Sequence, residues 1–198
     1  MTASPPRRTR VAVLISGAGS NMAALIDAAR KPGAPFEIAL VLSNRPIAGG
    51  LAVAAAQGVP TVVVNHRLFG EDREAHERAI DAALMEHEID VVALAGYMRL
   101  LTPWLVRLWA ARMINIHPSL LPKYPGLNTH ARAIAAGDAE AGCTVHLVTE
   151  GVDEGPILDQ EAVPILPMDT PEGLAQRVLA AEHKLYPRAL TAFCRALH

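Results

Sequence analysis

The chain has 198 residues, 51% of them hydrophobic and 19% charged, and a formal net charge of −2. That composition excludes a disordered chain, and a near-neutral balance without a basic tract in the body excludes a nucleic-acid-binding surface. No apolar run reaches the roughly 18 residues that a membrane span requires. Two cysteines, Cys143 and Cys194, make no disulfide framework and suit a reducing, cytoplasmic compartment. The length suits one α/β domain with a sizeable core. Residues 1–8 carry basic groups but no apolar core of a secretion signal, so we expect a loose tail ahead of a domain over 9–198.

In chain order, Val11–Ile15 is a continuous apolar strand, and Ser20–Lys31 is a helix stopped by Pro32 and Gly33. Phe36–Leu42 is a strand, Ala48–Gln57 a helix, and Thr61–Val64 a short strand. Glu71–Glu88 reads as a helix with an apolar side at Ala75, Ala79, Ala82, Ala83 and Met85. Val91–Ala95 is a strand, Pro103–Trp109 a short helix, Met113–Ile116 a strand and His130–Ala136 a helix. Gly142–Val148 and Ile157–Val163 are strands joined by a loop, so they should pair antiparallel. Thr170 caps a last helix with Pro171 at its first position. Alternating β and α elements give a mostly parallel, mixed sheet with helices on both faces, a single Rossmann-like α/β domain.

In such sheets, ligands collect at the carboxyl ends of the strands. The first strand ends in Ser16-Gly17-Ala18-Gly19-Ser20-Asn21, where glycines and a helix N-terminus make an anion cradle. Met22 stands where a dinucleotide fingerprint has its third glycine, and no Gly-Lys-Ser/Thr follows for a P-loop. A plain strand-to-helix turn capped by Ser20 is the structural alternative. Tyr97–Leu101 places apolar residues around Arg99 and could line a flat heteroaromatic ligand.

At 113–130, MINIHPSLLPKYPGLNTH, a buried strand runs into a loop made rigid by Pro118, Pro122 and Pro125. Asn115 and His117 alternate with apolar residues and so share one strand face. An amide beside an imidazole can hold and protonate a developing oxyanion, although a capped strand end with a satisfied histidine reads the same way. Glu150–Gly155 lies between the two late strands with Asp153 at its centre. His130, His146 and His183 have no ligand spacing, so no metal site is expected.

The stretches LISGAGSN, LAGYMRLLTP, INIHPSLLPKYPGLNTH, TVHLVTEGVDEGPIL and AAEHKLYP resemble the phosphoribosylglycinamide formyltransferases. They span nearly the whole chain in order. The resemblance implies that Asn115, His117 and Asp153 are catalytic. It implies that Gly19, Ser20 and Asn21 hold the substrate phosphate, with Glu182 at the ribose and Arg73 nearby. It implies a folate pocket at Met98, Arg99, Leu100 and Leu101 together with Glu150, Gly151, Val152 and Asp153. Ala18 replaces a common Asn and Asn128 a frequent His.

The implied reaction moves a formyl group from 10-formyltetrahydrofolate to the amine of glycinamide ribonucleotide. Its partners are these two small molecules, with no nucleic acid, no membrane, no metal, and a homodimer as candidate assembly. Asn115 would donate to the oxyanion. His117, paired with Asp153, would add charge and a second bond, and Asp153 would help take the amine proton. The alternatives are a formyltetrahydrofolate hydrolase, which usually carries an additional N-terminal domain, and a methionyl-tRNA formyltransferase, which needs a basic C-terminal domain. A bare nucleotide-binding module would leave Asn115, His117 and Asp153 unexplained.

Overall fold

The computed structural model describes residues 7–197. Its elements are β1 (Thr9–Ile15), α1 (Ser20–Ala29), β2 (Phe36–Ser43), α2 (Gly49–Ala56), β3 (Thr61–Val63), α3 (Arg73–Glu86) and β4 (Val91–Leu94). Then follow α4 (Pro103–Leu108), β5 (Met113–His117), α5 (Thr129–Ala135), β6 (Glu140–Leu147), β7 (Ile157–Pro164) and α6 (Pro171–Ala196). Most of the tail expected over residues 1–8 lies outside the described residues. Arg7 and Arg8 are described, and they pair with Asp90 at 2.6 Å and Glu37 at 2.8 Å.

The strands form one seven-stranded sheet in the order β3-β2-β1-β4-β5-β6-β7. Pairing is parallel from β3 through β5 and antiparallel for β5–β6 and β6–β7. The chain first winds outward from β1 to β3, then returns to β4 on the other side of β1. This reversal opens a crevice between the carboxyl ends of β1 and β4, where ligands bind in open α/β sheets. Ser16 N–H donates to the Gly96 carbonyl at 3.1 Å across that gap.

Strand periodicity divides the core in two. Val11, Val13 and Ile15 face a core with Met22, Leu25, Leu185 and Tyr186 from α1 and α6. Ala12 and Leu14 face a second core with Ile80 and Leu84 from α3, Leu105 from α4 and Trp109 just after it. Both faces of the inner strands are therefore apolar, which is why those strands read as unbroken hydrophobic runs.

Two features depart from the sequence expectation. The inward side of α3 is His76, Glu77, Ile80, Ala83 and Leu84, whereas Ala82 and Met85 are exposed. The two buried polar residues are satisfied from outside the helix. The His76 ring bonds the Val64 carbonyl at 2.9 Å, and Glu77 accepts from Thr102 N–H at 2.7 Å and from the Thr102 hydroxyl. The second feature is the antiparallel β5–β6 pair, which comes in addition to the expected β6–β7 pair. Thr170 caps α6 as expected, accepting from Gly173 N–H at 3.2 Å.

Candidate active site

β5 delivers Asn115 and His117 to the crevice two residues apart, on one face. His117 is buried between two acceptors. Its Nε2 lies 2.9 Å from the Tyr124 carbonyl and its Nδ1 3.3 Å from Asp153 Oδ2. Both ring nitrogens therefore face an acceptor. Neither nitrogen is free in this arrangement. His117 can therefore give a hydrogen bond to a ligand only by exchanging one of these contacts.

Asp153 comes from the β6–β7 connection and sits in the left-handed region at φ +56°. Asp and Asn tolerate that conformation better than other non-glycine residues. Its Oδ2 accepts from Gly126 N–H at 2.8 Å, and its Oδ1 lies 3.6 Å from His146 Nε2, an electrostatic contact at that distance. Burial alone would raise its carboxyl pKa. The His146 contact, the Gly126 N–H and the charges of His117 and His146 outweigh burial and hold it below the usual range. Gly155, beyond it, is obligatory, because a Cβ there would stand 1.7 Å from the Leu147 carbonyl oxygen.

His146, for which the sequence suggested no role, completes the group. It lies directly opposite Asn115 in the β5–β6 ladder, and Asn115 Nδ2 is 3.2 Å from its Nε2. His146 Nδ1 faces the Leu147 carbonyl at 2.9 Å, and Nε2 lies between the Asn115 amide and Asp153 Oδ1. One Asn115 N–H is thereby anchored and the other remains available. A signal for His146 existed: Thr144 and His146 repeat the polar i, i+2 alternation of Asn115 and His117.

The cradle at the end of β1 behaves as a backbone site. Gly19 adopts φ +76° as N-cap of α1, with no side-chain capping bond, so Ser20 does not cap the helix and its first N–H groups stay open. Gly50 of α2 packs against it, and a Cβ on Gly19 would meet Gly50 Cα at 3.0 Å. Asn21 turns its side chain inward, where Nδ2 donates to Glu182 Oε2 at 2.7 Å. These two residues are only 9% and 7% exposed, and burial raises the Glu182 carboxyl pKa against the effect of the Asn21 bond. Among the described residues Asn21 Oδ1 has no hydrogen-bond partner. Tyr186, one turn further along α6, fixes this stretch by donating its hydroxyl to the Leu94 carbonyl at 2.9 Å.

On the opposite side, Met98 N–H donates to Ser16 Oγ at 2.8 Å, and Ser16 Oγ donates to Asn44 Oδ1 at 2.6 Å. The Tyr97–Leu101 segment is thus tied to β1 at one end and, through Thr102, to Glu77 at the other. Met98, Leu100 and Val152 are 63%, 62% and 47% exposed, an apolar mouth of the kind that binds flat rings. Arg73 donates to the Leu100 carbonyl, which places it beside the Met98–Leu101 segment. Glu150 turns its carboxylate to Arg107 at 2.7 Å, which leaves the backbone of Gly151 and Val152 for a ligand. Among the described residues, no group of three His, Cys, Asp or Glu side chains could hold a metal ion.

The formyl transferase family model matches residues 9–190. The chain belongs to the formyl transferase family. It is 44% identical over 184 residues to a phosphoribosylglycinamide formyltransferase of Haemophilus influenzae, covering 93% of this chain and 86% of that protein. It is 50% identical over 185 residues to the trifunctional purine biosynthetic protein adenosine-3 of Bos taurus, covering 93% of this chain but spanning 18% of that protein. The crystal structure of phosphoribosylglycinamide formyltransferase from Brucella melitensis superposes with a TM-score of 0.91 at 57% identity, covering 95% of this chain and 96% of that one. The mostly parallel sheet with its antiparallel end is therefore the architecture of this family.

Proposed function

We propose that this formyl transferase moves the formyl group of 10-formyltetrahydrofolate to the amine of 5'-phosphoribosylglycinamide, a step of de novo purine biosynthesis. The observation that carries the reading is the convergence of Asn115, His117 and Asp153 at the carboxyl end of β5. Relatives that match along most of their length carry transferase names, which favours transfer over the hydrolase alternative.

In this reading the phosphate lies on the open N–H groups at Gly19, Ser20 and Asn21, and the ribose reaches Glu182. The pteridine enters between Met98–Leu101 and the Glu150–Asp153 backbone. The substrate amine attacks the formyl carbon, and the carbonyl oxygen becomes an oxyanion beside the free Asn115 N–H and the His117–Asp153 pair. Asp153, ionised at neutral pH, takes up the amine proton directly or through water. The carbon–N10 bond then breaks, N10 regains a proton, and tetrahydrofolate leaves. No protein nucleophile takes part, and holding two substrates together replaces a bimolecular encounter.

The protein partners only these two small molecules in this reading. Among the described residues no helix is long and apolar enough to cross a membrane. Two buried free cysteines, Cys143 and Cys194, suit a cytoplasmic location. A homodimer is the assembly that sedimentation would test. Supplying the formyl donor with and without the ribonucleotide tests the activity. Turnover that requires both supports transfer, and equal turnover with the donor alone would establish hydrolysis instead.

A further inference from the structure

Tyr124 occupies the left-handed region at φ +56°, a costly conformation for a bulky residue that persists only where the surroundings over-determine it. Those surroundings can be named. Tyr124 Oη donates to Asp138 Oδ2 at 2.8 Å, and the Arg132 guanidinium carbon lies 5.1 Å from the centre of the Tyr124 ring. Arg132 Nη1 also donates to the carbonyls of Pro125 at 2.6 Å and Leu127 at 3.3 Å. No ion pair to a carboxylate accompanies Arg132 among the described residues, so its side chain is directed at this loop.

The loop held in this way touches both halves of the catalytic pair. The Tyr124 carbonyl takes His117 Nε2–H, and Gly126 N–H binds Asp153 Oδ2, the same oxygen that faces His117 Nδ1. His117, the Tyr124–Gly126 segment and Asp153 therefore close a ring, and a rotation of Tyr124 would open it in two places. The plain alternative is that Arg132 is only a basic residue in the last turn of α5, placed to suit the helix dipole.

We propose that Arg132 and Asp138 are positioning residues. Acting through Tyr124, they hold the Tyr124–Gly126 segment in the arrangement that fixes His117 and Asp153 together. The role rests on the transferase reading above, and its test has a readout that does not depend on turnover.

The test compares the full chain with Arg132→Ala, Arg132→Lys and Tyr124→Phe, using steady-state kinetics and NMR of the His117 ring. In the parent protein the His117 Nε2–H, sheltered by the Tyr124 carbonyl, should give an observable proton signal. Arg132→Ala should lower kcat about 10–100-fold, the scale of a misplaced catalytic group, with KM for both substrates within about twofold. It should also broaden or abolish the His117 N–H signal. Arg132→Lys should recover part of both, because a lysine can still stack on the ring and reach one carbonyl. Tyr124→Phe, which loses the Asp138 anchor but keeps the stacked ring, should fall between the parent and Arg132→Ala. It carries the test if Arg132→Ala does not fold. An unchanged kcat in Arg132→Ala overturns the proposal, as does a lowered kcat with an intact His117 signal. Absence of turnover in the parent would refute the transferase reading and leave the N–H signal to decide the positioning role.

Discussion

Asn115 and His146 face each other as a directly opposed pair across β5 and β6, with the amide nitrogen 3.2 Å from the ring nitrogen. The pairing fixes which way the amide points, and so where its second N–H is aimed. His146→Ala should leave Asn115 free to rotate and lower kcat by roughly 10²-fold, the lower end for loss of an oxyanion donor. KM for both substrates should hold steady, because the interaction forms only in the transition state. Steady-state kinetics check this, and an unchanged kcat would reduce His146 to a packing residue.

The trio should behave as one device. Asn115→Ala, His117→Ala and Asp153→Asn should each reduce kcat by roughly two to four orders of magnitude. Combining His117→Ala with Asp153→Asn should cost much less than the sum of the two in free energy, because the 3.3 Å contact makes them work together. Strict additivity in the double-mutant cycle would mean that they act independently.

Asp153 carries a pH signature in stability. Its folded pKa lies below the unfolded value of about 3.9. Such a group adds stability above the unfolded value and loses it as pH falls through the folded value. Asp153→Asn keeps an acceptor for Gly126 and tolerates φ +56°, so it isolates the charge. Urea denaturation should show the parent more stable than the variant at pH 6, with the gap closing toward pH 2. A gap of constant size across that range would remove the charge from the account.

Glu182 has the opposite sign. Its folded pKa is raised by burial, so folding disfavours its charge at neutral pH. The stability it contributes is complete below the unfolded value of about 4.3 and is lost as pH rises through the folded value. Glu182→Gln should therefore raise the thermal midpoint of the free protein at pH 7 and leave it unchanged near pH 3. The same change should weaken ribonucleotide binding by about 1–3 kcal/mol, the range for bonds to a charged group. Calorimetry showing unaltered binding would return Glu182 to a structural role.

Gly50 offers a cleaner probe of the phosphate cradle than Gly19, whose φ of +76° makes any substitution strained. A Cβ at Gly50 would lie 2.5 Å from Ile15 Cδ1, 3.1 Å from Gly19 Cα and 3.2 Å from the Ala18 carbonyl. Gly50→Ala should push on that loop, costing about 1–3 kcal/mol of stability as overpacking does. Its apparent KM for the ribonucleotide should rise far more than that for the folate. An equal rise in both would count against phosphate binding at this loop.

The alternation of apolar strands and helices was readable because each inner strand is covered on both faces, so its hydrophobic run is unbroken. The buried side of α3 was not readable. Alanines at 75, 79, 82 and 83 say little about which side packs inward, and the groups that satisfy His76 and Glu77 lie 12 and 25 positions away. The site shows the same division. Asn115 and His117 stand out through local alternation beside a proline-rich loop. His146 shares that local alternation with Thr144, but its pairing with Asn115, 31 positions away, appears only in the β5–β6 register. The Arg132–Tyr124–Asp138 contacts depend on a backbone twist at a tyrosine, which propensity gives no reason to expect.

The bond between Asn21 and Glu182 joins residues 161 positions apart. At a synthesis rate of about 5–20 residues per second, the two leave the ribosome roughly 10–30 s apart. Within that interval the nascent chain comes to pair β1 with β2 and β4 and to form the glycine cradle, before the carboxylate proposed for the ribose has been made. The ribonucleotide cannot template the folding of the β1 cradle on its own, because its pocket is finished by α6, 161 positions later. Substrate protection against proteolysis should then appear abruptly, once α6 has docked, in translation arrested at successive lengths.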